Sequence, residues 1–385
     1  MIAISMNAKV RLADANGGET IRACAANDAA WGVQGERHQD EHRSIARAAG
    51  LPADGETEMP WRAIALLLLI ALAACAFLVG ISIGKGSTCA VTAAKELVFK
   101  RHGTMLIGFV LAASAAGLLT YPLSWLSGLA FHVAADVPIS KALVAGAVLI
   151  GVGAVINDAC LLGTLARVGQ GEVRFLALPL GLALGFGIAD QQGVLAAGVP
   201  FENPHAMPSV GGGLIVAMFG VLLIAGWWYL GRQGKVRPDA RTWPRGVMVL
   251  MGICSALLFG LEPHWTYSDA VHAAVARGRM DLHLDVPALL IALALVAGSI
   301  CAALMSGAFV LQKPSFAKIG RSILGGAVMA FGGTLIPGGN DSLLLAAIPS
   351  GTLSGIAAYG IMTVTVPALL WLGNARRSPV FLPAR

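Results

Sequence analysis

The chain has 385 residues, 56% of them hydrophobic and 12% charged, with a formal net charge of +6 and a mean hydropathy of +0.74. A soluble domain carries about a quarter charged residues, so the polar surface here is too small to cover a water-facing globule, and lipid is the solvent that fits. The net positive charge invites a nucleic-acid reading, but its placement argues against one, because Lys and Arg sit in short clusters between apolar stretches and form no basic stripe with interleaved aromatics.

Residues 1–60 are polar and mixed in charge, lack a sustained apolar run, and read as a largely disordered tail. No apolar core opens the tail, so it is not a secretory signal. His38 and His42 are four apart, a spacing that suits a metal on a helix, but no partner ligand follows and a solvated tail is expected. Met59 directly precedes the first apolar segment and offers an alternative start.

From Trp61 onward, apolar stretches recur at membrane-spanning length, and the fold class is all-α: a polytopic transmembrane helix bundle. About nine spans are expected, near 61–82, 103–128, 139–157, 173–191, 209–230, 245–261, 286–306, 319–336 and 352–372. The basic cluster of Arg232, Lys235, Arg237, Arg241 and Arg245 marks a cytoplasmic linker over 232–244, between a first transmembrane half at 61–231 and a second at 245–385. The stretches 121–136 and 200–208 lack Lys and Arg and belong on the opposite side. The loop 262–285 is assigned outside by alternation, with His264, His272 and His283 as ordinary surface histidines. That count places the basic tail outside as well, unless the segment after Gly80 is re-entrant; the conflict stays open at this level.

Three short segments interrupt the apolar pattern. The first, 84–89, contains Gly84, Lys85, Gly86, Ser87, Thr88 and Cys89. It is no phosphate loop, because Lys85 is followed by Gly86 and no soluble strand precedes it. The second, 157–171, opens with Asn157, Asp158, Ala159 and Cys160; the third, 336–342, contains Pro337, Gly338, Gly339, Asn340, Asp341 and Ser342. Irregular backbone at membrane depth survives only where protein or a wet cavity satisfies its polar groups, and such breaks mark solute paths. Gly146, Ala147, Val148 and Gly153 precede the second break with the spacing at which Gly326, Ala327, Val328 and Gly333 precede the third. Combined with the loop charges, this predicts two inverted repeats with re-entrant half-helices.

These segments resemble the YeeE/YedE family of sulfur-compound transporters, which includes thiosulfate permeases. The resemblance lies in 84–89, in 157–171 with its Ala-Cys-x-x-Gly-Thr and Arg-x-Gly-x-Gly pieces, and in Ser306-Gly307-Ala308-Phe309, Lys313-Pro314, Leu324-Gly325-Gly326 and 336–341. It implies a two-repeat pore with cysteines on the central breaks, which hand thiosulfate along by S–H···S contacts. Carried onto this chain, the cysteine positions are Cys89 and Cys160. The second-half counterpart falls at Gly339 or Asn340, so that thiol is missing. Asn340 and Ser342 offer hydrogen bonds to an oxyanion there, whereas an ionised Asp341 in a dry site would repel one.

The expected path is therefore lined by Ser87, Thr88, Cys89, Asn157, Asp158 and Cys160 in the first half. In the second half it is lined by Gly339, Asn340, Asp341 and Ser342. Capping of half-helices is the competing role for Asp158, Asn340 and Asp341, and a buried hydrophobe is the competing role for either cysteine. Cys75, Cys254 and Cys301 lie in apolar helices and read as packing residues; Lys85 and Arg167 either attract an anion or mark cytoplasmic ends. The expected function is import of a small inorganic sulfur anion across a bacterial inner membrane, with no enzymatic role, cofactor or metal. The alternative is a membrane-bound persulfide or redox protein that docks a cytoplasmic sulfurtransferase through Cys89, and a third is a structural subunit.

Overall fold

The computed structural model describes residues 58–86, 88–126, 131–193, 200–236, 245–276, 286–336 and 339–377. Ser87, Pro337, Gly338, His283, most of the polar tail and residues 237–244 of the basic linker lie outside them. Leu68–Arg385 form one compact unit, and the described residues before Leu68 are the opening turns of the first helix.

Helices account for about four-fifths of the described residues, and no named strand occurs among them. In chain order they are α1 (Glu58–Gly86), α2 (Ala90–Lys100), α3 (Thr104–Trp125), α4 (Lys141–Asn157) and α5 (Leu161–Gly169). A 3₁₀ turn at Val173–Ala177 leads into α6 (Leu178–Gln191), followed by α7 (Val210–Val236), α8 (Arg245–Leu261), α9 (Tyr267–Ala276) and α10 (Val286–Met305). The chain ends with α11 (Phe316–Thr334), the single turn α12 (Asn340–Ser342), which runs into a π-turn at Leu343–Ala347, and α13 (Leu353–Arg377).

Seven segments are long and apolar enough to cross a membrane, and the chain is a multi-pass membrane protein. Two expected spans fall outside that set. Helix α8 is shorter, and α11 is diluted by Lys318, Arg321 and its glycines. Lipid exposure is plainest on α7, where Val210, Leu214, Val221 and Ile224 are all exposed. At its far end Arg232 lies 3.8 Å over the Trp228 ring and Arg245 lies 4.7 Å from Trp227, the aromatic and basic anchoring typical of a membrane interface.

Glycine sets how closely the helices approach. A methyl group at Gly146 would meet the carbonyl oxygen of Gly332 at 2.7 Å, and one at Gly332 would meet that of Gly146 at 2.7 Å. Gly153 and Gly325 are related in the same reciprocal way, at 2.7 and 2.8 Å. Helices α4 and α11 therefore cross antiparallel with their backbones in contact. Without a hydrophobic force between helices in lipid, dispersion and weak Cα–H···O contacts of this kind hold such a crossing together. The same device joins α6 to α11 through Gly181 and Gly185, α3 to α8 through Gly252, and α1 to α10 through Gly80 and Gly298. Helix α13 covers α4 and α2, and α9 packs on α6.

Between the loops at 131–140 and 200–209, Asp136 pairs with Phe201 in an isolated bridge. Asp136 also caps the start of α13, accepting from the backbone N–H groups of Leu353 (3.0 Å) and Ser354 (3.1 Å) and from the Ser354 hydroxyl. Tyr121 and Asn203 both donate to the Ser350 carbonyl, at 2.7 and 2.6 Å. These bonds tie the loops of the first half to the turn before α13.

Candidate functional site

The first break follows α1, where Gly84 and Gly86 weaken the helix and Thr88 and Cys89 leave it. Cys89 is extended (φ −132°, ψ 119°) and stands immediately before α2. The second break begins where Asp158 takes a left-handed conformation (φ 67°) that ends α4. Cys160 then returns to extended backbone and caps α5 with its own sulfur.

That sulfur accepts from Gly163 N–H at 3.4 Å and, across the break, from Ala90 N–H at 3.2 Å. It also lies 3.9 Å from the sulfur of Cys89. Both cysteines are free thiols and both are buried, 3% and 1% exposed. Two thiols from distant stretches of chain thus touch at the N-termini of two short helices, where unpaired N–H groups and the helix dipoles favour negative charge.

Asn157 is fully buried and spans the second break, its amide donating to the Ala159 carbonyl (2.8 Å) and to the Thr164 hydroxyl (3.1 Å). Asp158 turns away from the thiols. It accepts from Lys95 of α2 at 2.6 Å and faces Arg174 at 3.5 Å. Arg174 in turn reaches Glu172 at 3.3 Å, and Glu172 binds Arg167 at 2.5 Å. Five charges alternate in sign from α2 to the 3₁₀ turn, and they engage both Asp158 and Arg167 in pairing.

In the third break Gly339 precedes α12, whose Asp341 and Ser342 are 3% and 9% exposed. Asn340 opens this turn, and its side chain lies outside the described residues. A methyl group at Gly339 would meet Asp341 Oδ1 at 2.6 Å and Leu161 of α5 at 2.7 Å. The third break therefore lies against the second. The π-turn that follows is a backbone irregularity found mostly at functional sites.

The stretch expected as a loop at 262–285 holds a fourth break, within its described residues 262–276. Residues 262–266 leave α8 and lead into the short helix α9, and Trp265, Thr266 and Ser268 are all buried. Tyr267 donates to the Leu161 carbonyl at 3.0 Å, and Ser268 donates to Asp341 Oδ2 at 3.4 Å. The Thr266 hydroxyl accepts from Asp269 N–H at 3.2 Å and donates to the Asp269 carboxylate at 2.7 Å. A helix-start signature, Thr-x-x-Asp ahead of an apolar run, was present in the sequence to mark it. Of the histidines in that stretch, His272 stacks on Phe186 with ring centroids 4.5 Å apart.

Eight buried side-chain N or O atoms among the described residues lack a hydrogen-bond partner, and five of them belong to the four breaks. They are Thr88 Oγ1, Asn157 Oδ1, Trp265 Nε1, Asp341 Oδ1 and Ser342 Oγ. Buried polar atoms are rarely left unpaired in a protein interior, and most of the exceptions among the described residues fall in the four breaks. A groove of about 750 Å³ between α7 and α8, lined by Trp227, Trp228 and Arg245, lies apart from the breaks.

The sequence profile of the sulphur transport family, YeeE/YedE, matches residues 85–368, a stretch that takes in all of the breaks except Gly84. No curated protein matches the chain. The chain belongs to the YeeE/YedE sulphur transport family.

Proposed function

We propose that this protein is a permease that imports a small sulfur-containing anion such as thiosulfate across the inner membrane. The anion passes between half-helix N-termini, with Cys89 and Cys160 lining the path. The observation that carries the reading is the contact of the two thiols where the N–H ends of α2 and α5 meet. An S–H group donates a weak, easily broken hydrogen bond to a soft sulfur atom, while backbone N–H groups offset the charge of the oxygens. Binding there is favourable enough for entry and weak enough for release. Burial of both thiols also favours a permease over docking of a soluble sulfurtransferase, whose own sulfur would have to reach them.

Two inverted repeats organise the path. One constant shift along the chain carries Gly146 onto Gly325 and Gly153 onto Gly332, the partners that meet reciprocally in the α4/α11 crossing. The same shift carries Cys75 onto Cys254, and those two free thiols are neighbours. Helices α1–α6 thereby correspond to α8–α13, leaving α7 without a counterpart. The packing supports this: α6 lies on α11 as α13 lies on α4, and α9 lies on α6 as α2 lies on α13. The register is one residue earlier than the one read from Gly326 and Gly333, because glycine doublets at 325–326 and 332–333 accept either. It assigns Ser268 as the counterpart of Cys89 and Gly339 as that of Cys160.

Uptake of radiolabelled thiosulfate and sulfite into proteoliposomes tests the reading. Uptake that depends on Cys89 and Cys160 is expected. Wild-type uptake no greater than that of the Cys89→Ser, Cys160→Ser double variant would sink the thiol-lined path.

A further inference from the structure

The second half holds a carboxyl where the repeat would place a thiol. Gly339, the counterpart of Cys160, has no side chain, and the space beside it is taken by Asp341 Oδ1. Asp341 is 3% exposed; its Oδ1 has no hydrogen-bond partner, and only the Ser268 hydroxyl at 3.4 Å from Oδ2 and the backbone N–H groups of Asp341 and Ser342 favour its charged form. Among the described residues no lysine, arginine or histidine lies within ion-pair distance of it.

The titratable groups around Asp341 offer no compensating charge. Tyr267 and Asp269 face it from α9, and Asp269 in turn feels His264 and His272. On α5 the nearest is Cys160, in contact with Cys89, and Arg167 near the other end of that helix is bound to Glu172. An ionised carboxylate buried without a partner costs several kcal/mol, and intramembrane acids that persist are characteristically proton carriers.

We propose that Asp341 is the proton-binding residue of this permease and that anion uptake is coupled to proton movement through it. The proposal rests on the permease reading. With the O–H bond intact, Asp341 is neutral and donates a hydrogen bond toward the anion. When that bond breaks, the proton leaves to water on the cytoplasmic side, and the carboxylate left behind repels the anion and favours its exit. One carboxyl thus links occupancy by an anion to occupancy by a proton, with no redox step.

Two measurements test this on the full-length protein. Infrared spectroscopy of the purified wild type at neutral pH is expected to show a protonated-carboxyl band that Asp341→Asn removes. In proteoliposomes, the ratio of thiosulfate uptake with an inward proton gradient to uptake without one is expected to be several-fold. Asp341→Glu should keep that ratio above one, and Asp341→Asn should bring it to one. Absence of the band, or an Asp341→Asn variant as gradient-driven as the wild type, overturns the coupling alone. A wild type that takes up neither thiosulfate nor sulfite at any pH overturns the permease reading and the coupling with it.

Discussion

The sulfur of Cys89 rests against the bare α-carbon of Gly163, on the first turn of α5. A methyl group there would overlap the sulfur and come within 2.7 Å of the Cys89 β-carbon. Alanine is otherwise the better helix former by about 1 kcal/mol. Gly163→Ala is nevertheless expected to destabilise, because overpacking a tight contact costs roughly 1–3 kcal/mol. It should also drive the two thiols apart. Thermal unfolding in detergent together with thiosulfate uptake checks this: both should fall, and a variant as stable and active as the wild type contradicts the contact.

Cys160 serves as an acceptor as well as a thiol. Cys160→Ala leaves the N–H groups of Ala90 and Gly163 without their sulfur partner and is expected to cost about 1–3 kcal/mol. Cys160→Ser keeps an oxygen acceptor and should recover much of that stability, yet lose uptake because the soft sulfur is gone. Comparing denaturation midpoints and uptake for the two variants separates the roles; a serine variant with full uptake contradicts the second.

Glu172 holds Arg167 and Arg174 at once, and its side chain is 8% exposed. Removing its charge leaves two guanidiniums competing for Asp158. Arg167 is about one-third exposed, so water recovers part of the loss, and Glu172→Gln is expected to cost about 2 kcal/mol. Added salt should narrow the difference from the wild type in a thermal melt; a difference that salt leaves unchanged argues against an electrostatic origin.

Asp136 lies in a loop between spans and sets an acid limit. Burial works against its charged form, but hydrogen bonds from the Ser354 side chain and from the N–H groups of Ser354, Leu353 and Val137 outweigh that and hold the carboxyl below its ordinary value. A carboxylate with a lowered pKa contributes stability above its unfolded pKa, about 4, and loses it as pH falls through the lowered value. Asp136→Asn should therefore cost about 2 kcal/mol at neutral pH. Its melting temperature should decline less than that of the wild type as the pH is taken below about 4. Parallel acid-side profiles for the two proteins would show that Asp136 is not the group responsible.

The membrane class and three of the four breaks were legible because both are local properties. Span length follows from hydropathy, and Gly, Pro, Asn and Ser interrupt a helix wherever they cluster. The fourth break escaped because its polar residues sit in a stretch that loop charge counting assigns to solvent, although Thr266 and Asp269 spelled a helix start. Asp158 reads from the sequence as a path or capping residue; its ion pairs with Lys95 and Arg174 come from other elements, and no sequence spacing announces an ion pair across folded distance. The family resemblance named Cys89 and Cys160 as residues of the central breaks, whereas their contact and the bond from Ala90 N–H to the Cys160 sulfur could be found only in three dimensions.

Cys75 and Cys254 read as inert packing residues in the sequence, yet the two free thiols are neighbours, and the proposed repeat makes them counterparts. If the proposed halves rock against one another, as inverted-repeat transporters do, the motion must either pivot on that contact or pull it apart, and the pair then serves as its gauge. The rate at which a mild oxidant joins the two sulfurs, with and without solute, reports how much of its time the protein spends with the seam closed.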